Sequence, residues 1–340
     1  MQDGKREIRS LLPWELEAEL KALGLPAYRA KQVFRWLQRG AASFGEMTDL
    51  PGALREKLEE EYRLHAPKVL RKQESSDGTV KYLWRLWDGN AVESVVMRYH
   101  YGNTVCISSQ VGCRQGCVFC ASTGLGLVRD LSAGEMLEEV LYSGLDSGAK
   151  ITGVVLMGVG EPLENYDNVI RFLSLVNAPE GLNIGMRHIS LSTCGLVPQI
   201  GRLAEEDLQL TLSVSLHAPD DETRKKLMPI ARRYDVAALM EACGAYYERT
   251  GRRISFEYAP ILGVNDSPEQ MKLLAAQMRR VHGHVNLIPL NRVPGSSLEP
   301  ASARDLVRML GELGCNATVR RRLGADIDAA CGQLRRKEAT

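Results

Sequence analysis

The sequence predicts an α/β protein, in which an open, partial barrel of five or six β/α units follows a helical N-terminal region and precedes a basic tail. From about residue 130, β-rich runs alternate with amphipathic segments of helical period, and this alternation is typical of parallel βαβ units. The units are too few to close an eight-stranded barrel. The chemistry of such a sheet is expected at the carboxyl ends of its strands.

The first part of the chain, residues 1–75, is expected to form a small helical accessory domain, because Leu16, Leu20 and Leu23 recur at helical spacing. Basic and acidic side chains are mixed there, so composition alone favours a plain accessory domain. The basic residues of its helices nevertheless make RNA binding its expected role. Residues 76–103 follow as a β-hairpin connector. Two β-rich runs flank the turn dipeptide Asp88-Gly89, which favours a hairpin.

The alternating part is placed at 104–319. Its expected strands are 104–108, 153–157, 188–192, 210–215, 254–258 and 285–289. Its expected helices are 132–146, 166–177, 197–205, 236–249, 268–281 and 300–313. Residues 320–340 form a tail, and the stretch 320–337 carries six basic side chains against two acidic ones.

Composition narrows the possible functions. With 43 Lys and Arg against 42 Asp and Glu, the 340-residue chain has a formal net charge of only +1. A nucleic-acid surface must therefore be a local patch. The sequence shows no apolar run of about eighteen residues and no secretory signal, so we expect a cytoplasmic protein without a membrane partner. In a reducing cytoplasm its eight cysteines favour metal or thiol chemistry over structural disulfides.

The strongest motif is a triad of cysteines, Cys113, Cys117 and Cys120, in a glycine-containing loop. A structural zinc site needs a fourth ligand, and no nearby Cys or His pair supplies one. A conventional iron–sulfur cluster takes four thiolates. Three thiolates on a four-iron cluster would leave one iron open to an external ligand, and buried structural cysteines seldom fall at this spacing.

This C-x3-C-x2-C pattern resembles the radical S-adenosylmethionine (SAM) superfamily. The resemblance implies a partial (β/α)6 radical SAM barrel and a [4Fe–4S] cluster whose open iron is chelated by SAM. The segment Gly158-Val-Gly160-Glu161-Pro is similar to the superfamily's G-x-G-E-P segment, which holds the SAM amino group. Glycines permit close backbone approach, and a carboxylate offers acceptors to an ammonium group.

Other segments resemble one family within that superfamily, the RlmN-type RNA adenine C2 methyltransferases with dual specificity for 23S rRNA and tRNA. These segments are Glu93-Ser-Val, Cys106-Ile-Ser-Ser-Gln-Val-Gly-Cys113, Leu191-Ser-Thr-Cys-Gly195, Ser215-Leu-His217, Leu287-Ile-Pro-Leu-Asn291 and the tail from Gly324 to Leu334. The resemblance covers nearly the whole chain. It implies methylation of adenine 2503 in 23S rRNA and of adenine 37 in tRNA at C2, with two SAM molecules per turnover. An electron donor such as flavodoxin and a monomeric enzyme are expected.

The resemblance also implies roles for individual residues. The cluster ligands are Cys113, Cys117 and Cys120. The SAM site is formed by Gly160, Glu161, Ser192, Ser215, Leu216, His217 and Asn291. The catalytic set is Cys331, which carries the methyl group, Cys106, its partner in a transient disulfide, and Glu93, the proton acceptor.

The chemistry of adenine supports this set independently. The C2 carbon is electrophilic and does not attack the SAM methyl group, whereas a radical can add to it, which is why such an enzyme needs a cluster. The methyl group must first sit on a thiolate, and a second thiol must then resolve the protein–RNA crosslink. The acceptor of the C2 proton stays open between two residues. A carboxylate on a strand, such as Glu93, is often a solvated surface residue, and the Cys106 thiol could also take the proton.

Two alternatives remain at this stage. One is C8 methylation of the same rRNA adenine, since that related activity shares every motif above. The other is a non-enzymatic iron–sulfur or zinc RNA-binding module, against which Glu161 and Ser192 argue because such a module needs no SAM segments. Candidate phosphate contacts are Arg29, Lys31, Arg35, Arg39, Arg320, Arg321, Arg322, Arg335, Arg336 and Lys337. Packed, non-functional thiols are expected at Cys194, Cys243 and Cys315.

Overall fold

A ten-stranded sheet organises the chain in the computed structural model, which describes residues 4–291 and 297–328. The strands are β1 (Arg6–Glu7), β2 (Tyr62–Arg63), β3 (Lys68–Glu74), β4 (Val80–Arg85), β5 (Ala91–Tyr99), β6 (Gly102–Cys106), β7 (Gln110–Gly112), β8 (Leu127–Asp130), β9 (Ile151–Leu156), β10 (Ile189–Thr193), β11 (Thr211–Ser215), β12 (Ser255–Tyr258), β13 (His284–Leu287) and β14 (Ala317–Val319). The α-helices are α1 (Pro13–Ala22), α2 (Ala27–Gln38), α3 (Gly52–Glu61), α4 (Ala133–Ser147), α5 (Tyr166–Asn177), α6 (Val197–Glu205), α7 (Asp221–Leu227), α8 (Val236–Thr250), α9 (Pro268–Val281) and α10 (Ala303–Glu312).

The strand order in the large sheet is β14-β13-β12-β11-β10-β9-β6-β5-β4-β3. All neighbours from β14 to β6 pair in parallel. The strands β6 and β9 to β13 are the six that the alternating pattern predicts, and β14 extends the sheet by a three-residue strand too short to be recognised in the sequence. The two end strands do not pair with each other, so the expected open, partial barrel is confirmed.

Three antiparallel strands continue the barrel sheet beyond β6. The predicted hairpin is present as β4 and β5, and it is an integral part of the sheet because β5 pairs with β6. The strand β3 lies within the region that we expected to be helical, and this expectation is wrong for residues 68–74. The strand is mostly exposed and rich in charge, as edge strands often are, so its sequence shows no alternation of polar and apolar residues.

The N-terminal helices pack on the barrel and share its hydrophobic core. A buried ion pair joins the two parts, with Arg9 Nε 3.0 Å from Glu138 Oε1 on α4. The same guanidinium donates to the carbonyl of Ala41 at 2.8 Å. Burial raises the pKa of Glu138 to about 8, an effect that Arg9 opposes. Across both described ranges, no helix combines the length and the apolar character required to cross a membrane.

Candidate active site

The residues expected to hold SAM lie at one edge of the sheet. Gly160 and Glu161 follow β9, and Ser192 lies near the end of β10. Ser215 is the last residue of β11, Leu216 and His217 follow it, and Asn291 follows β13. The strands β9, β10 and β11 are parallel neighbours, and β13 lies two strands further along. Their carboxyl ends therefore meet, as the fold class requires of an active site.

The glycine turn after β9 packs against the segment after β6. A Cβ atom on Gly158 would lie 2.5 Å from the carbonyl oxygen of Ile107. A Cβ atom on Gly160, whose φ is +113°, would lie 2.7 Å from Ser109 Oγ. These positions require glycine because of another part of the protein, whereas the sequence suggested a ligand as the reason. The Ser109 hydroxyl is buried and makes no hydrogen bond to any residue in the described ranges. It could therefore form a hydrogen bond with a bound ligand.

The carboxylate of Glu161 joins two loops of this edge. Its Oε1 accepts from the backbone N–H of Leu163 at 3.0 Å, and its Oε2 accepts from that of Cys194 at 2.7 Å. Its own N–H donates to Gln110 Oε1 at 2.8 Å. Burial raises the pKa of Glu161, although the hydrogen bonds oppose the shift. The side chains of Thr193 and Cys194 also donate to this carboxylate, so Glu161 is held from several sides.

His217 connects the SAM edge to the cysteine loop. Its backbone has a φ of +56°, and its Nδ1 accepts from the N–H of Ala259 at 3.0 Å, which assigns the ring proton to Nε2. Burial, together with the nearby Arg224, lowers the pKa of His217 to about 3, so the ring is neutral. The ring of Phe119, which lies between two of the predicted cluster ligands, meets it edge to face at a centroid distance of 4.5 Å.

Arg224 is a buried residue that sequence reasoning missed. Its guanidinium donates to the carbonyl oxygens of Cys194 at 2.8 Å, Leu216 at 3.2 Å and Ser215 at 3.3 Å. It therefore ties the ends of β10 and β11 together, and burial lowers its pKa. The charged run 220–226 is typical of an exposed helix, and nothing in it indicates that one arginine turns inward.

The three cysteines of the triad share a loop that packs against the barrel. The N–H of Cys113 donates to Gly126 O at 3.0 Å, and the neighbouring Val118 N–H donates to Leu227 O at 3.0 Å. Burial raises the pKa of the Cys113 thiol to about 11, and the nearby Cys120 thiol adds to the shift. Burial and the other two thiols also raise the pKa of Cys117.

This donor set fits a cluster better than a single ion. Over residues 4–291 and 297–328, no three His, Cys, Asp or Glu side chains converge to hold one metal ion. Each thiolate of a four-iron cluster binds a different iron, so the ligands need not converge on one point. The triad meets that requirement, because its thiols are close enough for their charges to raise the pKa of Cys113 and Cys117.

The proposed catalytic pair lies on one face of the antiparallel strands. Cys106 on β6 pairs with Val95 on β5, and Glu93 is two residues away on the same face of β5. Glu93 is only 3% exposed, so it is not a solvated surface carboxylate of the kind common on strands. Its Oε2 lies 2.9 Å from Lys81 Nζ, and both side chains are buried.

Lys81 is a second residue that sequence reasoning missed. It lies on β4 opposite Val95, which places it diagonally across from Glu93. The Asp88-Gly89 turn fixes the register of this hairpin, so the sequence did contain a signal for the pair.

The start of the C-terminal tail lies near the SAM edge, and three further cysteines are packed inside the fold. Cys331 lies outside the described residues. Asn291 Oδ1 accepts from Arg322 Nη2 at 3.3 Å, so the start of the tail reaches the SAM edge. The thiols of Cys194, Cys243 and Cys315 are buried and unpaired by disulfides, as expected for packed cysteines.

Known proteins place this geometry in a family. The sequence profile of the radical SAM superfamily matches residues 107–275, and that of the ribosomal RNA large subunit methyltransferase N-terminal domain matches residues 8–64. A probable dual-specificity RNA methyltransferase RlmN from Clostridium perfringens is 50% identical over 327 residues, covering 95% of this chain and 94% of the relative. The protein of the same name from Desulforamulus reducens is 50% identical over 340 residues, covering 98% and 97%.

A solved structure agrees. The crystal structure of a radical SAM methyltransferase from Sphaerobacter thermophilus superposes with a TM-score of 0.91 at 43% identity, covering 96% of this chain and 98% of that one. The interpretation as a non-enzymatic RNA-binding module is therefore wrong, because the chain matches methyltransferases over nearly their whole length. The chain belongs to the RlmN family of radical SAM RNA methyltransferases.

Proposed function

We propose that this enzyme methylates C2 of adenine 2503 in 23S rRNA and C2 of adenine 37 in tRNA. The observation that carries the proposal is the buried group of Glu93 and Cys106 on one face of β5 and β6, beside the segment that leads to Cys331. The relatives' name, dual-specificity RNA methyltransferase, supports two RNA classes. No observation favours C8 methylation.

In this proposal the thiols divide the work. Cys331 takes a methyl group from SAM, as a carbon–sulfur bond forms and the sulfonium–methyl bond breaks, leaving S-adenosylhomocysteine. The Cys106 thiolate then attacks the sulfur of Cys331 in the protein–RNA crosslink. The sulfur–sulfur bond forms, the carbon–sulfur bond breaks, and the released carbon keeps the electron pair and takes a proton to become the methyl group of the product. Glu93 accepts the C2 proton, and its buried position excludes water from that step.

The remaining site residues bind the cofactors. Cys113, Cys117 and Cys120 would hold a [4Fe–4S] cluster, which would supply the electron that makes SAM a radical source. Two SAM molecules are used per turnover, one as methyl donor and one as radical source. Glu161 and His217 shape the SAM edge, and a flavodoxin-like protein supplies the electron.

The RNA-binding surface is proposed on α2 and the tail. Lys31, Arg35 and Arg39 recur every four residues on α2 and its C-cap, and all three are exposed. Tyr28, 54% exposed, lies on the same helical face. A basic row with an aromatic side chain suits RNA phosphates and an unstacked base. The enzyme would act as a cytoplasmic monomer.

The decisive test is to locate the methyl group. The reconstituted protein is incubated anaerobically with methyl-labelled SAM and either 23S rRNA or tRNA, and the digested RNA is analysed by mass spectrometry. We expect 2-methyladenine in both RNAs. Finding 8-methyladenine would transfer the assignment to C8, and label in one RNA class alone would remove the other from the proposal.

A further inference from the structure

The described end of the tail is fastened to the β3–β4 hairpin by hydrogen bonds from both sides. Asp326 accepts from the Ser75 hydroxyl and, at 2.9 Å, from the Ser76 N–H. The N–H of Gly324 donates to Asp77 Oδ2 at 2.8 Å. These contacts join residues about 250 positions apart in the chain, so they are a product of the fold alone.

A second group of contacts lies closer to the end of the described tail. Gln73 Nε2 donates to Asp328 Oδ2 at 3.1 Å, and the N–H of Asp328 donates to Gln73 Oε1 at 3.1 Å. This reciprocal pair fixes both the side chain and the backbone of Asp328. A single amide side chain thus holds the last described residue in one orientation.

Lys81 connects the fastened tail to the proposed proton acceptor. Its Nζ donates to the carbonyl oxygen of Asp328 at 2.7 Å and lies 2.9 Å from Glu93 Oε2. The Lys81 side chain is fully buried, so neither contact is screened by water. One ammonium group therefore touches both the tail and the carboxylate.

The tail also reaches the proposed resolving thiol. Leu323 packs against the small apolar cluster of Val95, Met97 and Cys106. Cys331 follows Asp328 by three residues, and three residues span at most about 11 Å. The last described residues of the tail therefore lie beside Lys81 and Cys106, and the chain continues from there to Cys331.

We propose that the β3–β4 hairpin is the docking surface of the C-terminal tail, and that Lys81 is a positioning residue that ties the docked tail to Glu93. The inference rests on the proposed function, because it assigns Cys331 its working position. The contacting residues, 73–81 and 323–328, fall outside both family profiles, which match 8–64 and 107–275. Neither profile therefore accounts for this surface.

Hydrogen exchange tests the docking surface without cluster, SAM or RNA. Mass spectrometry follows the peptide that covers residues 323–328 in the whole chain. Asp326→Ala and Gln73→Ala should each raise its exchange rate about tenfold, because the protected amides of Gly324 and Asp328 lose their dock. Asp305→Ala, an exposed carboxylate on α10, is the matched control and should leave the rate unchanged. Unchanged exchange in both hairpin-contact variants would overturn the inference.

The positioning role is tested by methyl transfer from SAM to Cys331 in a single turnover without RNA. Asp326→Ala should slow labelling of Cys331 about tenfold, while SAM affinity measured by calorimetry stays at the wild-type value. Equal labelling rates in Asp326→Ala and wild type would contradict the positioning role. If the wild type methylates neither RNA, the proposed function fails, and the exchange result still stands because it requires no substrate.

Lys81 is tested by the pair Lys81→Met and Lys81→Arg. The first removes the cation and should accelerate exchange at 323–328, whereas the second keeps a donor for Asp328 and should restore most of the protection. Lys81→Met also leaves the buried Glu93 carboxylate without this cation, which could unfold the protein. An unfolded variant would show fast exchange along the whole chain, and not at residues 323–328 alone. Gln73→Ala keeps that pair intact and separates local release from unfolding. Equal local exchange in Lys81→Met, Lys81→Arg and wild type would overturn the role of Lys81.

Discussion

The two thiol sites of this enzyme are built in different ways. The cysteine loop gathers Cys113, Cys117 and Cys120 within eight consecutive residues, next to the carboxyl ends of the parallel strands. The strand site assembles Lys81, Glu93 and Cys106 from three neighbouring antiparallel strands and adds a tail from the far end of the chain.

The difference teaches how each site can be disturbed. In the loop, each cysteine would bind the proposed cluster directly, so the loss of any one should abolish activity. In the strand site, register and docking hold each group through its neighbours, so a single loss should stop the reaction at a defined stage.

The largest effect is expected in the cysteine loop. Replacing Cys113, Cys117 or Cys120 by alanine should abolish both the cluster absorbance and RNA methylation, because three thiolates are the minimum set. Absorbance, iron and sulfide content, and methyl transfer measure this after anaerobic reconstitution. Cys315→Ala, a buried cysteine elsewhere in the fold, is the control and should retain all of them. A triad variant with full iron content and turnover would remove the loop from the cluster site.

The strand site should instead give a trapped product. Cys331→Ala should accept no methyl label and form no RNA adduct, since the methyl group has no thiolate to receive it. Cys106→Ala should still methylate Cys331 and should accumulate a covalent protein–RNA species, because the second thiol is missing. Denaturing gels with labelled RNA distinguish the two. An adduct with Cys331→Ala, or none with Cys106→Ala, would reverse these roles.

An intermediate effect, on SAM affinity, is expected from replacing Glu161 at the SAM edge. Glu161→Ala leaves the backbone N–H groups of Leu163 and Cys194 without their acceptor and should weaken SAM binding about a hundredfold. Iron content should stay at the wild-type value. Glu312→Ala, an exposed carboxylate at the end of α10, is the control and should leave SAM affinity unchanged. Calorimetry on cluster-loaded protein measures both, and equal affinities would show that Glu161 does not shape the SAM edge.

The smallest effect is a pH dependence of stability at His217. Its folded pKa is about 3, below the ordinary value near 6.5. Below pH 6.5 the unfolded chain binds a proton that the folded protein does not, so stability is lost as pH falls toward 3. Between pH 6.5 and pH 5 the loss is about 2 kcal/mol.

His217→Asn provides the comparison for this titration. Asparagine tolerates the left-handed backbone at this position and still offers an acceptor to the Ala259 N–H, but it does not titrate. Urea denaturation at pH 6.5 and pH 5 should therefore show the extra loss in the wild type alone. The same loss in both proteins would assign the pH dependence to other groups.

The sequence predicted the parallel part of the fold well. The bounds expected for α5, α6 and α9 agree with the structure, since each helix has a continuous apolar stripe along one face. It missed β3, because the residues of this exposed edge strand form a strand through their pairing with β4 and not through a pattern of their own. It also missed Arg224, because burial of an arginine depends on the carbonyl groups that surround it.

Spacing within a short segment is a property of the sequence itself. The cysteine triad, the glycine turn with Glu161 and the period of the helices were all readable because their residues are neighbours along the chain. The tertiary structure alone decided the order of the parallel strands and the docking of Asp326 and Asp328 on residues 73–76. Contacts between residues about 250 positions apart leave no periodic trace in the sequence, because they arise only when the sheet register and the path of the tail bring the segments together.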